Sequence, residues 1–371
     1  MNKKFISLLL SAALAVSMLT VPAFAAEGGE ADAALDETNE VVVTLGDTVT
    51  ASTVEDTDKA AADKTAADKT ETADSAPAAS TEKKQITYVA LGDSIVAGVG
   101  LADVKYAKDS TTLYSVDMSP NFKGYSPDCY VGKVAAMMGL DRDHAINLGL
   151  PALTAPDLAD MVRDGQMPKM NMESGCWYKY PEFQDYIRKA DVVSVQIGSN
   201  DAFVPCIVAL GNATNWKSEA LAASVLAGDL RASGSPAAAL IQGIKDMHLT
   251  RDERNATWNL LTSEMGKICD RIYPQTTAAL ISVVQEIRKL NPDCQILLMG
   301  YTDPVPFIPC WHNYFKKLNK FEKQLAETYD LTYVAIPRAK TDLDVHPTIS
   351  GHEYIAKKIV NSIELPEDSA Q

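Results

Sequence analysis

Histidine, paired cysteines and clustered basic residues are scarce in this chain of 371 residues. It has five histidines, and none of its six cysteines forms a Cys-x-x-Cys pair. Because structural zinc sites need closely spaced Cys and His ligands, the sequence argues against one. The 34 Lys and Arg residues are outnumbered by 49 Asp and Glu, which gives a formal net charge of −15. Nucleic-acid binding needs clustered positive charge, so we expect no nucleic-acid partner.

Long apolar runs are also rare, and the one at the amino end has the form of an export signal. A basic start (Met1 to Lys4) precedes an apolar stretch from Phe5 to about Val21, and an Ala-x-Ala site follows. This pattern predicts a signal peptide over residues 1–25, cut after Ala25. The apolar stretch is short for a retained membrane anchor. We therefore expect a secreted protein, at most loosely associated with the cell surface and without a stable membrane anchor.

Aromatic residues are absent from 27 to 84, where fifteen acidic residues face five lysines, a net charge of −10. Such a segment buries too little apolar surface to offset the entropy cost of ordering it. We predict a disordered, acidic, Ala/Thr-rich spacer over 26–84 and a folded domain over 85–365.

In an exported protein the six cysteines could form disulfides, with fifteen possible pairings, or remain buried free thiols.

Strand-like apolar runs alternate with helical patterns five times after residue 85. Alternation of this kind predicts an α/β fold with a five-stranded parallel sheet and helices on both faces, a three-layer αβα architecture. The predicted strands cover 86–91, 144–150, 191–197, 295–300 and 332–336, and the predicted helices cover 127–140, 154–162, 276–290, 311–329 and 350–363. Residues 203–262, rich in Ala and Leu, suggest a helical insertion that either caps a site or packs into the core.

Polar residues follow four of these strands. Ser94 ends a Gly-Asp-Ser turn after the first strand, the segment 147–154 follows the second, and Asn200 follows the third; His346 lies in a cluster after the fifth. Parallel strands end at one edge of the sheet, so these residues are expected to meet there. Each has a simpler interpretation: an N-cap serine, a turn asparagine or a surface-loop histidine.

Three blocks in register resemble the SGNH/GDSL hydrolase superfamily of serine esterases and lipases, across roughly residues 86–362. The blocks are Gly92-Asp93-Ser94-Ile95, then Gly198-x-Asn200-Asp201, and finally His346-Pro347 with nearby aspartates before Gly351-His352. The resemblance implies a flavodoxin-like αβα fold and an acyl-enzyme mechanism that needs no metal or cofactor. It assigns Ser94 as the nucleophile and His346 as the base. The implied oxyanion donors are the Ser94 and Ala152 amides and the Asn200 side chain.

The chain departs from the family pattern at two positions. Ala152, preceded by Pro151, stands where the second block usually has glycine, so its amide is retained only if the backbone there suits a residue with a Cβ. Leu343 stands where the family has its aspartate, and Asp344 and Asp342 flank it. We favour Asp344 over Asp342 as the residue that orients His346, with a Ser-His dyad as the alternative.

The remaining histidines and block aspartates have structural interpretations. We expect His352 to pack at the start of the last helix, and His144, His248 and His312 to have structural roles. Asp93 and Asp201 are expected to stabilise turns.

The function expected from these residues is extracellular hydrolysis of carboxylic esters, lipase-like, lysophospholipase-like or with broad specificity. The substrate would be a small-molecule, lipid or acylated-glycan ester. An alternative is removal of O-acetyl groups from cell-wall or plant polysaccharide, for which we expect exposed aromatic side chains such as Tyr106, Tyr114, Trp177 and Tyr178. From another class, a non-catalytic surface module could retain the fold, and Ala152 and Leu343 favour that interpretation.

Overall fold

The computed structural model describes residues 85–104, 122–218, 220–221, 234–304, 306, 308–342 and 345–364. The predicted signal peptide (1–25) and spacer (26–84) lie outside these residues, as do Tyr106, Tyr114, Leu343 and Asp344.

Five parallel strands form one sheet in the order β2-β1-β3-β4-β5, which confirms the predicted fold class. Every residue of the first three strands is buried, which explains their nearly continuous apolar sequences. The chain moves outward from β1 to β2 and then returns past β1 to β3, so the strand order reverses beside β1. In open α/β sheets, ligands bind outside the carboxyl ends of the strands at such a reversal. The strands are β1 (Tyr88–Gly92), β2 (Ala145–Gly149), β3 (Val192–Gln196), β4 (Gln295–Met299) and β5 (Thr332–Val334).

The helices cover both faces of the sheet. Helices α2 and α10 pack on one face in a core that includes Val131 and Ile355, and α3, α5, α8 and α9 pack on the other around residues such as Leu280. The helices are α1 (Ser94–Ala97), α2 (Tyr130–Met138), α3 (Ala155–Asp164), α4 (Phe183–Arg188), α5 (Ser199–Ala213), α6 (Pro236–Asp246), α7 (Arg251–Asn259), α8 (Met265–Leu290), α9 (Pro309–Tyr329) and α10 (Ile349–Val360).

Local signals explain where several of these helices begin and end. Thr154 caps α3 with a capping box, because its side chain accepts from the Asp157 amide while the Asp157 side chain accepts from the Thr154 amide. Gly139 ends α2 and Gly165 ends α3, each with the left-handed backbone that suits a residue without a Cβ.

The structure differs from the predicted elements at α4 and around the start of α8. Helix α4 was not predicted. Helix α8 begins at Met265 rather than at 276, and one π-helical turn (Leu260–Glu264) joins it to α7. Pro274 removes one hydrogen bond inside α8, but the buried side chains of Met265 and Cys269 keep the preceding turns packed on the core.

Of the two roles considered for the start of the predicted insertion, the structure shows core packing. Phe203, Cys206 and Ile207 lie on α5 and are buried in the larger core. Residues 219 and 222–233 of the predicted insertion lie outside the described part of the chain.

All six cysteines are free thiols, and five of them are buried.

Within the described ranges, no helix combines the length and the apolar character needed to cross a membrane.

Candidate active site

Ser94 lies at the exit of β1, where a short polar turn connects the strand to α1. Asp93 caps this helix, since its Oδ1 accepts a hydrogen bond from the Ile95 amide at 2.9 Å. Ser94 is the first helical residue and is half-buried, so its hydroxyl reaches the carboxyl edge of the sheet.

Asp93 is fully buried and holds this turn to two other parts of the fold. Its Oδ2 accepts hydrogen bonds from the Ser199 hydroxyl at 2.7 Å and from the Tyr301 hydroxyl at 3.3 Å. Burial raises the pKa of the Asp93 carboxyl, and these hydrogen bonds oppose that rise. The exits of β1, β3 and β4 are therefore tied together directly behind Ser94.

His346 meets Ser94 across 252 residues of sequence, with its Nε2 atom 2.9 Å from the Ser94 Oγ. The imidazole is almost completely buried, at 6% exposure. A tight turn carries it: the Asp342 amide donates to the His346 carbonyl at 2.8 Å, and a bridge pairs Thr341 with Pro347. A hydroxyl in contact with an imidazole nitrogen can pass its proton to that nitrogen and become nucleophilic.

The carboxylate expected to orient His346 stays a prediction. Asp344, the favoured residue, lies outside the described residues, and Asp342 lies within the turn that carries the histidine.

The three predicted oxyanion donors are brought to the same edge. The exit of β2 is fastened to that of β1 by the Leu150 amide, which donates to the Gly92 carbonyl at 2.9 Å. Asn200 binds the same segment, since its Nδ2 donates to the Leu153 carbonyl at 2.9 Å. That bond uses one of the two Nδ2 hydrogens and leaves the other for a ligand. In the described part of the chain, the amides of Ser94 and Ala152 donate no hydrogen bond.

Ala152 keeps the backbone conformation that glycine would adopt. Its φ is 59°, in the left-handed region that disfavours residues with a Cβ. The replacement of glycine therefore leaves the backbone amide in place, with an energetic cost that other contacts have to offset.

The block aspartate Asp201, in the first turn of α5, joins that helix to α3. It is buried, and its Oδ2 accepts from the Ala155 amide at 2.9 Å, at the first turn of α3. Burial raises the pKa of Asp201 to about 7, against the opposing effect of its hydrogen bonds.

Among the described residues, the other four histidines form no hydrogen bond with Ser94. His352 is buried on α10, where its Nδ1 accepts from the Tyr130 amide at 3.2 Å, and burial lowers its pKa to about 3. His144 lies at the amino end of β2, 2.7 Å from Asp141. His312 pairs with Asp303 at 2.8 Å, a partner that sequence reasoning did not identify. His248 is exposed in a turn.

Sequence reasoning also missed the segment 165–180, which we call the 165–180 excursion. It leaves α3 and returns toward α4, with a bridge between Gln166 and Lys179. Tyr178, expected to be an exposed aromatic, is instead buried. Its hydroxyl donates to the Pro151 carbonyl at 2.9 Å. Trp177 is 58% exposed, as expected. No periodic or motif signal marks the Tyr178 contact in the sequence.

Comparison with known proteins identifies the family to which the chain belongs. Residues 90–354 match the GDSL-like Lipase/Acylhydrolase family. No curated protein sequence matches the chain.

Among solved structures, the lipase Lip_vut3 from a goat rumen metagenome is 14% identical, with a TM-score of 0.43, 75% of this chain covered and 97% of that one. Phospholipase A1 from Streptomyces albidoflavus is 14% identical, with a TM-score of 0.41, 76% of this chain covered and 100% of that one. A variant of Axe2, an acetylxylan esterase from Geobacillus stearothermophilus, is 18% identical, with a TM-score of 0.35, 76% of this chain covered and 97% of that one. The family match spans most of the folded region, and the chain belongs to the GDSL-like lipase/acylhydrolase family of ester hydrolases.

Proposed function

We propose that this protein is a secreted serine hydrolase that cleaves carboxylic esters through an acyl-enzyme. The observation that carries the proposal is the 2.9 Å contact between the Ser94 Oγ and the His346 Nε2. With the imidazole protonated on Nδ1, its Nε2 is the acceptor for the Ser94 proton.

The chemistry follows from that contact. The Ser94 Oγ attacks the ester carbonyl while His346 takes its proton, and the tetrahedral intermediate places negative charge on the former carbonyl oxygen. The Ser94 and Ala152 amides and the second Asn200 N–H are the donors for that charge. His346 then returns the proton to the leaving alcohol, and water hydrolyses the acyl-enzyme by the reverse sequence. Asp344 or Asp342 would orient the imidazole.

A labelling experiment tests the reaction class. A fluorophosphonate probe should label the wild-type protein and fail to label Ser94→Ala, and His346→Ala should slow labelling strongly. Folded wild-type protein that resists the probe would instead indicate a non-catalytic module. Turnover of p-nitrophenyl esters from acetate to palmitate then separates a short-chain esterase from a lipase or lysophospholipase.

A second candidate, removal of O-acetyl groups from polysaccharide, is favoured by one observation. Trp177 is 58% exposed on the 165–180 excursion, which contacts Pro151 next to the predicted oxyanion donor. Its indole Nε1 donates to the Met167 carbonyl at 3.1 Å, so the ring is held in place with much of its surface in solvent. A fixed, exposed aromatic surface is suited to packing against a sugar ring.

Paired variants test this candidate. Trp177→Ala should raise KM for acetylated xylan oligosaccharides and leave KM for p-nitrophenyl acetate unchanged. Trp258→Ala, which removes a comparably exposed indole from α7, is the matched control and should change neither value. Equal KM values for wild type and Trp177→Ala on the glycan would remove the support for this substrate.

Secretion is tested separately. Protein recovered from the culture medium should begin at Ala26. Protein that stays in the cell and still carries residues 1–25 would contradict the predicted cleavage.

A further inference from the structure

The peptide group between Pro151 and Ala152 lies in a turn whose sequence does not favour the observed shape. The Leu153 amide donates to the Leu150 carbonyl at 3.2 Å, which closes a four-residue turn. Proline at its second position and a φ of 59° at Ala152, its third, are the features of a type II turn. Type II turns favour glycine at the third position, whereas a Pro-Ala pair also fits type I, in which both central φ angles are negative.

The two turn types differ by a flip of the central peptide group. In a trans peptide the C=O and N–H bonds point in opposite directions, so one flip reverses both the Pro151 carbonyl and the Ala152 amide. With alanine at the third position, relief from positive φ favours the flip. Contacts from outside the turn therefore have to hold the observed orientation.

The 165–180 excursion provides those contacts. Its two arms are joined where the Met167 amide donates to the Tyr178 carbonyl at 2.9 Å and the Tyr180 amide donates to the Gly165 carbonyl at 2.7 Å. Nearer its tip, the Asn171 side chain donates to the Asp157 carboxylate on α3 at 2.7 Å. The excursion is thus fixed at both its base and its tip.

From this frame two buried side chains reach the turn. The Tyr178 hydroxyl donates to the Pro151 carbonyl at 2.9 Å, and the Cys176 thiol lies 3.9 Å from the Ala152 carbonyl oxygen. Tyr178 therefore binds the oxygen of the same peptide group whose N–H belongs to Ala152.

We propose that Tyr178 is a positioning residue that holds the Pro151–Ala152 peptide in the orientation in which the Ala152 N–H serves the oxyanion. The inference rests on the proposed function. The Tyr178 hydroxyl binds the carbonyl on one side of the peptide and thereby keeps the N–H directed to the other side. A hydrogen bond accepted by the carbonyl also polarises the peptide, which strengthens its N–H as a donor. This contact compensates for the absence of glycine at position 152.

The test is a double-mutant cycle in p-nitrophenyl acetate hydrolysis. Tyr178→Phe removes one buried oxygen and should lower kcat about 10-fold with KM nearly unchanged, less than the ~10²–10³-fold loss typical of removing an oxyanion donor outright. In an Ala152→Gly background, where positive φ has no Cβ penalty, the same change should lower kcat by less than about threefold. Tyr180→Phe, in the adjacent part of the excursion, is the matched control and should leave kcat unchanged.

The outcomes separate the two levels of inference. A folded wild-type protein with neither turnover nor fluorophosphonate labelling would overturn the proposed function and this role with it. An active wild type whose kcat survives Tyr178→Phe would overturn the positioning role alone. Equal losses of kcat in the wild-type and Ala152→Gly backgrounds would show that Tyr178 does not act through this peptide, and would likewise overturn it.

Discussion

The exits of β1 and β2 lie side by side at one edge of the sheet, but different contacts hold them in shape. At the β1 exit the required conformation is carried by the residue itself: Gly92 has a φ of 156°, and a Cβ there would lie 2.1 Å from the Gln196 carbonyl oxygen. At the β2 exit, Ala152 takes a glycine-like φ and depends on Tyr178, 26 positions further along the chain. One turn has glycine at the position that requires it, and the other depends on a distant side chain to hold an alanine there. Replacing Gly92 by alanine should therefore be costly, whereas replacing Ala152 by glycine should change stability little.

The largest effect on kcat is expected where Asn200, at the start of α5, binds the segment that follows β2. Asn200→Ala should lower kcat by about 10²–10³-fold, because it removes a predicted oxyanion donor along with the anchor to Leu153. Steady-state kinetics with p-nitrophenyl acetate measures the loss.

Asn291→Ala is the matched control for that measurement. Asn291 also has a buried amide, but its donors bind the Ile187 and Ala190 carbonyls, at 2.9 and 2.8 Å, near the amino end of β4. Its replacement should cost about 1–3 kcal/mol of stability and leave kcat nearly unchanged. Similar kcat losses in the two variants would mean that Asn200 has a structural role and is not an oxyanion donor.

Gly92→Ala tests the requirement for glycine at the β1 exit. The added methyl would meet the Gln196 backbone and the Val96 side chain, so we expect a loss of about 3 kcal/mol or more in the free energy of unfolding. Urea unfolding measures it.

Gly139 provides the control, because it has a φ of 67° with nothing within 4 Å of an added Cβ. Gly139→Ala isolates the backbone penalty and should cost about 1–2 kcal/mol. If the two variants lose the same stability, close packing at Gly92 is not what requires glycine there.

The same contrast explains how much could be predicted from the sequence. Burial of β1 and β3 on both faces produces apolar runs that are visible locally, and the parallel arrangement then brings the chain segments of Ser94 and His346 to one edge. The roles of these two side chains remain predictions.

Contacts that depend on tertiary packing left no such signal. The Tyr301 hydroxyl reaches Asp93 across 208 residues, and the Tyr178 hydroxyl reaches Pro151 from an excursion without helical or strand periodicity. In the sequence, Ala152 differs from its surroundings only as a departure from the family pattern. Its positive φ is a property that only the structure shows.

Two buried titratable groups should give opposite dependences of stability on pH. His352 on α10 packs against Tyr130 of α2, and burial lowers its pKa to about 3, with Lys133 and His346 acting in the same direction and Asp128 opposing them. Between about pH 6.5 and pH 3 the unfolded state binds more protons at this residue than the folded state does. Its contribution to stability is therefore present above about pH 6.5 and is lost as the pH falls, by at most about 1.4 kcal/mol per pH unit.

Asp201, in the first turn of α5, has the opposite dependence. Its pKa is raised to about 7, so the folded state binds more protons between about pH 4 and pH 7, and stability falls as the pH rises through that window. Urea unfolding from about pH 4.5 to pH 7 should show a shallower acid loss in His352→Asn and a steeper one in Asp201→Asn than in wild type. Parallel profiles for all three proteins would contradict both assignments.

The smallest effect, from Ala152→Gly, tests the comparison most directly. Ala152 is 2% exposed, so losing its methyl removes about 0.8 kcal/mol of apolar burial, and glycine adds about 0.5–1 kcal/mol of unfolded-state entropy. Relief from positive φ returns about 1–2 kcal/mol, so the net change should stay within about 0.8 kcal/mol in either direction. Ala326→Gly, equally buried within α9, has the same two costs without the relief and should lose about 1.3–1.8 kcal/mol in urea unfolding. Equal losses at the two positions would mean that Ala152 bears no backbone strain, and the contrast between the β1 and β2 exits would then fail.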